Sequence, residues 1–323
     1  MTASGPGTSL DGGLERDLAA FAALAPRTPD GGAPAGGPLL VASDFDGVLA
    51  PLGDDPLASR PTPASAAALA RLATLGPDRV RVALVSGRRI EDLARLASPP
   101  VGALLVGSHG AETGEVLAPA PEGGPADGPG VADGPGVAGG ADGAGAGDAP
   151  GAQSQVRADG TTARVRLVPV ALDDAQSTLL DRVTQELEEI AAPVEGAWVE
   201  HKPSAAVLHT RLSPQPAADE ASAAAARLGD ELGAHAMTGK NVVEIAVTST
   251  SKGIALDALR TSLGSPAVLY LGDDVTDERA FAVLSASDLG IKVGPGETLA
   301  RRRVADPAEA ARALTALADL LGA

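Results

Sequence analysis

The chain has 323 residues, an apolar fraction of 44% and a net charge of −17. That length allows two compact units with a sizeable core, and the acidity argues against a nucleic-acid partner, which would draw on clustered Lys and Arg. The aromatic residues are Phe21, Phe45, Phe281, Trp198 and Tyr270, too few for a base-stacking platform, and with no cysteine there is no disulfide or thiolate metal site.

Residues 1–37 are rich in Gly, Pro, Thr and Ser. They read as a loosely attached, flexible N-terminal arm with one short helix, Leu14 to Leu24. Their start has neither the basic residues nor the apolar stretch of a secretory signal, and no apolar run in the chain reaches bilayer length. A soluble cytoplasmic protein is expected, without a membrane partner and with a monomer as the default. A βαβ rhythm then begins. Leu39 to Ser43 is an apolar strand. Thr62, Pro63 and Gly76 mark the N-cap, first turn and end of a helix. Val80 to Val85 and Leu104 to Val106 are further strands, with a helix from Ile90 to Leu96 between them. Strands alternating with helices predict a parallel sheet.

The rhythm stops near Pro119. Residues 119–155 are almost all Gly, Ala, Pro and Asp, and ADGPGV occurs twice in succession, at 126–131 and 132–137. So little apolar surface cannot offset the entropy of ordering, and a disordered insertion is expected. A small α+β unit follows over 156–240: a strand at Ala163 to Val168, a helix at Leu172 to Ile190, a hairpin from Ala197 to Thr210 and a helix at Asp219 to Leu232. Val242 to Ala246 returns the chain to the first unit. That unit resumes with a helix at Lys252 to Leu263, a strand at Val268 to Leu271, a helix at Asp277 to Leu284, a strand at Leu289 to Val293 and a last helix capped by Asp306. The expected organisation is an α/β, Rossmann-like parallel-sheet core, 38–118 and 241–323, with an inserted cap placed to act as a lid.

Four separated motifs carry chemistry. Asp44-Phe45-Asp46-Gly47 ends the first strand, at the edge where open α/β sheets bind ligands. Spaced two apart, Asp44 and Asp46 should project to one side. One can attack phosphorus as a carboxylate and the other can move the proton. Gly272-Asp273-Asp274, with Asp277 and Glu278, forms a second carboxylate cluster at a second strand end. Two such clusters repel unless a divalent cation lies between them, and hard oxygen ligands beside a phosphate suit Mg²⁺. The competing reading is helix capping by Asp274 or Thr276. Ser86-Gly87-Arg88 offers a hydroxyl and free helix amides to a phosphate oxygen. Lys252 opens a helix. Lys202, Lys240, Lys252 and Lys292 are the four lysines among 25 basic residues, so a lysine marks a place where a compact charge is wanted, although Lys292 also fits an ordinary surface position. His109, in Gly107-Ser108-His109-Gly110-Ala111-Glu112, is expected to be a binding contact rather than a base.

In this order the motifs resemble the haloacid dehalogenase-like phosphohydrolase superfamily. DFDGVLAPL, SGR, GSHGAE, Glu200-His201-Lys202-Pro203-Ser204, Gly239 to Ile245 and GDDVTDE narrow the resemblance to its trehalose-6-phosphate phosphatase branch. The resemblance implies Asp44 as nucleophile and Asp46 as general acid and base. It implies Asp44, the main-chain carbonyl of Asp46 and Asp273 as Mg²⁺ ligands, supported by Asp274 and Asp277, and Ser86 and Lys252 as the phosphate-holding pair. Sugar contacts would come from Glu200, Lys202 and Lys240 on the cap and from His109 and Glu112 on the core edge, with Arg88 also counted among the substrate-binding residues. The implied reaction is Mg²⁺-dependent hydrolysis of trehalose 6-phosphate through an aspartyl-phosphate. A phosphatase of another sugar or polyol phosphate, a phosphomutase, and a catalytically silent scaffold are the other readings.

Overall fold

The computed structural model describes residues 10–26, 36–53, 55–118, 152–156, 162–168 and 172–323. The first part of the chain gives α1 (Gly12–Ala22), β1 (Leu39–Ser43), α2 (Pro63–Thr74), β2 (Val80–Val85), α3 (Ile90–Ala97), β3 (Leu104–Gly107), β4 (Glu112–Leu117), β5 (Ala152–Val156) and β6 (Thr162–Val168). Next come α4 (Asp174–Ala191), β7 (Trp198–Lys202), β8 (Ala205–His209), α5 (Gln215–Leu232), β9 (His235–Gly239) and β10 (Val242–Ala246). The chain closes with α6 (Lys252–Leu263), β11 (Val268–Gly272), α7 (Glu278–Phe281), β12 (Leu289–Val293), β13 (Arg302–Val304) and α8 (Pro307–Leu321).

Among the described residues, nine strands form one sheet in the order β13-β12-β11-β1-β2-β3-β4-β6-β5. The first six run parallel and the last three pair antiparallel. Strand β1 is buried on both faces, which is why it reads as an unbroken apolar run. Leu39 and Val41 join one core layer, with α1, α2, α3 and α8; Leu40 and Ala42 join the other, beneath α6 and α7. Helix α2 begins where expected: the Thr62 hydroxyl accepts from the Ser65 N–H at 3.1 Å, and Ala68, Leu69 and Leu72 turn inward.

A second, antiparallel sheet has the order β7-β8-β10-β9. Ala206, Leu208, Val243 and Ile245 pack from it against Val183 and Leu187 of α4 and Ala221, Ala225 and Leu228 of α5. The strand period of two turns the alternate residues to the opposite face, among them Lys202, Ala205 and Glu244.

The sheet pairing moves several expected boundaries. Strand β6 hydrogen-bonds to β4 and belongs to the large sheet, so the smaller unit does not begin at 156. Strand β10 pairs with β8 and β9, so that unit extends past 240. Residues 152–155, assigned to the disordered insertion, lie in strand β5; the rest of the insertion, with both hexapeptides, lies outside the described residues. Strands β4, β9 and β13 carry little apolar alternation and gave no signal of their own.

The arm is also corrected. Asp11 caps α1 by accepting from the N–H groups of Gly13 and Leu14. Leu14, Leu18 and Phe21 are buried in the main core, and Asp17 pairs with Arg301 and Arg302. The helix is therefore part of the core, and its Gly-rich flanks misled the reading. Replacing Phe21 with Ala should cost about 3–5 kcal/mol in chemical denaturation, whereas unchanged stability would restore the loose arm.

Candidate active site

Strand β1 is flanked by β11 and β2, both parallel to it. The chain departs from β1 toward β2 and β3 on one side and later fills β11, β12 and β13 on the other. This is a switch point in strand order, and its carboxyl edge is where a crevice opens. It gathers Asp44 after β1, Asp273 and Asp274 after β11, and Ser86 after β2. Helix α6 adds Lys252 from its first turn.

The centre is an ion cluster. The Lys252 Nζ donates to Asp44 Oδ2 at 2.6 Å and to Asp277 Oδ1 at 2.8 Å. Lys252 is 2% exposed, Asp44 4% and Asp277 0%. Asp277 also accepts from the Tyr270 hydroxyl at 2.7 Å and from the N–H groups of Asp273 and Asp274. Burial opposes the charge on Lys252, yet Asp44, Asp277 and Asp274 hold its pKa above the usual lysine value. Burial pushes Asp44 up to about 8, with Lys252 working against it. Burial, then the charges of Asp277 and Asp274, push Asp273 up to about 6.

One oxygen from each of Asp44, Asp273 and Asp277 lies within 4.8 Å of the others. Three carboxylates against one ammonium leave an excess of negative charge if all are ionised, and all three donors are hard oxygens. This set fits a divalent cation. Gly47 leaves space for the Asp273 carboxylate: its φ is +74°, and a Cβ there would sit 1.9 Å from Asp273 Oδ2. Asp274 ties the turn before α7 rather than capping the helix, whose N-cap is Asp277 with no side-chain cap hydrogen bond. The Asp274 Oδ1 accepts from the N–H groups of Thr276 and Asp277 and from the Thr276 hydroxyl. Burial works against its charge, but Lys252 and these donors hold its pKa below the usual carboxylate value.

Asp46 lies three residues beyond β1 and lines the same cavity as Asp44, while its carboxylate takes partners of its own. Arg88 grips Asp46 with Nε at 2.6 Å and Nη2 at 2.8 Å, and the Ser59 hydroxyl donates to it at 2.9 Å. Arg88 is thus committed to an acid. Both residues still line a cavity of about 370 Å³ with Asp44, Ser86, His109 and Lys252. Ser86 is buried, and its hydroxyl accepts from the Arg88 N–H at 3.2 Å.

The remaining expected contacts divide. His109 lines that cavity and a second one of about 460 Å³ between the two sheets. Its backbone is left-handed (φ 55°), next to Ser108 (φ 48°), a strained pair of the kind found at functional sites. Burial, then Lys252, lower the His109 pKa. Lys202 lines the second cavity and pairs with Glu244 at 2.6 Å. Glu112 turns inward, accepting from the Ile90 N–H and the Ser108 hydroxyl, and so caps α3. Glu200 pairs with His209, which stacks on Trp198 at 4.6 Å. Lys240 is exposed, beside Asn241 (φ 58°) in the β9–β10 turn. Glu112, Glu200 and Lys240 line neither cavity.

Three residues were missed or misread. Lys292 is 4% exposed and donates to the Asp273 carbonyl at 2.6 Å; its scarcity was the signal, and a surface role was the wrong choice. Tyr270 is a lone tyrosine in an aliphatic strand, and a buried hydroxyl needs a partner. Ser59, thirteen residues from Asp46, left no trace in the sequence.

The mostly parallel sheet, with acids at two adjacent strand ends and a lysine at a helix start, shares its fold with a solved haloacid dehalogenase-like hydrolase of Bacteroides thetaiotaomicron, with a TM-score of 0.52 at 12% identity. The trehalose-phosphatase family model matches residues 42–311, and the chain belongs to that family. It is 29% identical over 260 residues to a trehalose-phosphate phosphatase of Mycobacterium marinum, covering 79% of this chain and 53% of the relative. To the Mycobacterium avium trehalose-phosphate phosphatase it is 30% identical over 292 residues, covering 86% and 61%. The chain thus spans between about half and three fifths of these relatives' length. The solved Aspergillus fumigatus trehalose-6-phosphate phosphatase shares the fold with a TM-score of 0.58 at 20% identity, over 96% of this chain and 98% of that one.

The raised carboxyls give a pH prediction with a defined sign. The cation-free folded state holds protons on Asp44 and Asp273 more tightly than the unfolded chain does. Their contribution to stability is therefore present below the usual carboxylate pKa and is lost as pH rises through about 6 and about 8. Cations compete with those protons, so apparent Mg²⁺ affinity should rise over the same window. Calorimetry at pH 6, 7 and 8 checks this, and a flat affinity would contradict it.

Proposed function

We propose that this chain hydrolyses trehalose 6-phosphate to trehalose and phosphate in a Mg²⁺-dependent reaction that passes through an aspartyl-phosphate. The observation that carries this reading is Asp44, buried at the sheet edge against Lys252 and beside a carboxylate cluster that fits a divalent ion. When bound, such an ion neutralises the repulsion between carboxylates and phosphate. Asp44, the Asp46 carbonyl and Asp273 would hold it, with Asp277 and Asp274 behind them.

Asp44 attacks phosphorus in line. The bond from phosphorus to the sugar oxygen breaks as the bond to the Asp44 carboxylate forms. Asp46 gives a proton to the departing oxygen, then takes one from the water that cleaves the acyl phosphate. Lys252 and the Ser86 hydroxyl stabilise charge on the phosphate oxygens. Arg88 and Ser59 aim Asp46. For Asp46 to carry a proton, the two-pronged Arg88 contact has to open on one side, and an entering phosphate favours this by competing for the guanidinium. Against a net charge of −17, Lys252, Lys292 and Arg88 supply the local positive charge an anion needs.

The second sheet with α4 and α5, about residues 172–246, acts as the cap that covers the sugar in this reading. Among the described residues no helix is long and apolar enough to cross a membrane.

Phosphate release from trehalose 6-phosphate should require Mg²⁺ and exceed release from glucose 6-phosphate, and Asp44→Asn should abolish it while circular dichroism stays unchanged. Equal rates on the two esters would favour a phosphatase of another sugar phosphate. Retained activity in the variant would refute the nucleophile.

A further inference from the structure

Strand β12 carries a charge inside the sheet. All five of its residues are buried, and Lys292 among them is 4% exposed. A buried ammonium is costly unless it is paired and hydrogen-bonded, and an ionised carboxylate makes the stronger bond to it. A carboxylate is at hand. Glu278 Oε1 lies 3.8 Å from the Lys292 Nζ and is itself buried with no hydrogen-bond partner among the described residues. The ammonium turns elsewhere. It donates to the Asp273 carbonyl at 2.6 Å and reaches the Asp274 carbonyl at 3.5 Å. The fold leaves the stronger bond unmade and holds a loop instead. That loop leads out of β11, whose last residue, Gly272, lies opposite Lys292. Asp273 is therefore held at both of its backbone polar groups, since its N–H donates to Asp277 Oδ2 at 2.9 Å. Two such bonds fix the direction in which its carboxylate leaves the chain.

We propose that Lys292 is a positioning residue for the divalent cation. By holding the Asp273 carbonyl it aims the Asp273 carboxylate at the ion, and affinity for the ion depends on that clamp. The inference rests on the metal reading above, which uses Lys292 only as positive charge for the phosphate. A clamp and a bare charge predict opposite signs. A bare charge repels a cation, so removing it would tighten binding. A clamp sets a ligand in place beforehand, so removing it weakens binding, as loss of the groups that orient metal ligands commonly does. Glu278 favours the clamp, because at 3.8 Å its negative charge offsets the field of the ammonium beyond the pair.

The test uses the full chain with two sets of replacements. Lys292→Met keeps the length of the side chain but removes its charge and its donor. Lys292→Met together with Glu278→Gln removes both charges, so the net charge stays that of the unaltered chain. Calorimetry measures Mg²⁺ binding at fixed pH, and phosphate release from trehalose 6-phosphate is followed as a function of Mg²⁺ concentration. Both variants should bind Mg²⁺ about tenfold more weakly. The Mg²⁺ concentration that gives half the maximal rate should rise by the same factor, and added Mg²⁺ should recover part of the lost rate. Unchanged or tighter Mg²⁺ binding in either variant would overturn the proposal. So would a loss of rate that is the same at every Mg²⁺ concentration, the sign of a purely structural lysine. If neither variant folds, a crystal of the unaltered chain with Mn²⁺ decides. The Lys292 Nζ on the Asp273 carbonyl, with Asp273 on the metal, supports the clamp, and the Nζ on Glu278 contradicts it. If the unaltered chain binds no Mg²⁺, the metal reading fails and the clamp with it. If it binds Mg²⁺ and the variants bind it equally well, only the clamp fails. If it binds Mg²⁺ more tightly than the variants but releases no phosphate, the phosphatase reading fails and the clamp stands.

Discussion

The structure turns on one buried ammonium shared by two buried carboxylates. Lys252 reaches both Asp44 and Asp277 within 2.8 Å, and all three are almost fully buried. Such a group is an expensive way to gain stability. Desolvating each ion costs several kcal/mol, and a hydrophobic replacement of the same volume is often as stable or more so. Its arrangement makes sense as a prepared electrostatic field. The ammonium fixes Asp44 at a strand end, Asp277 fixes the β11 loop through two backbone N–H groups and the Tyr270 hydroxyl, and Lys292 steadies the Asp273 carbonyl. These contacts hold the groups around Asp44 in place before charge builds on a bound phosphate.

Much of this was legible in the sequence because each motif sits where an apolar run ends. Leu39 to Ser43, Val80 to Val85 and Val268 to Leu271 are buried strands, and a polar residue just beyond such a strand reaches the sheet edge with few alternatives. The helix starts at Pro63 and Pro307 were fixed by their caps, Thr62 and Asp306, which are local. The errors came from non-local effects. Whether β6 joins the core or the cap depends on β4, a partner dozens of residues away, and Arg166 with Arg81 around Glu115 is an ion pair that no periodicity reports. The burial of α1 depends on α8, at the other end of the chain. Asp44 and Asp46 were legible as a pair at a strand end, but the residues that hold Asp46, Arg88 and Ser59, are non-local partners that no spacing reports.

The cap follows the same logic. Its helices and hairpin were read from the sequence, but its open face carries mixed polar residues whose roles are set by what lies opposite. Glu200 and Lys202 are two apart on one strand, yet Lys202 meets the cavity while Glu200 is drawn to His209. Lys240, assigned through the resemblance, lies in a hairpin turn, whereas Lys292, allowed an ordinary surface position, is buried beside the acids. Composition identified lysine as unusual; only the packing distinguished one lysine from another.

The central claim is that Asp44 and its acidic neighbours hold a divalent cation next to the reacting carboxylate. Anomalous diffraction from a crystal grown with Mn²⁺ and beryllium fluoride tests this most directly. The account predicts one strong metal peak in contact with Asp44 and Asp273, and the fluoride adduct bonded to Asp44 with Ser86 and Lys252 around it. A metal peak elsewhere, or an Asp44 that keeps only its Lys252 contact with no adduct, would contradict it.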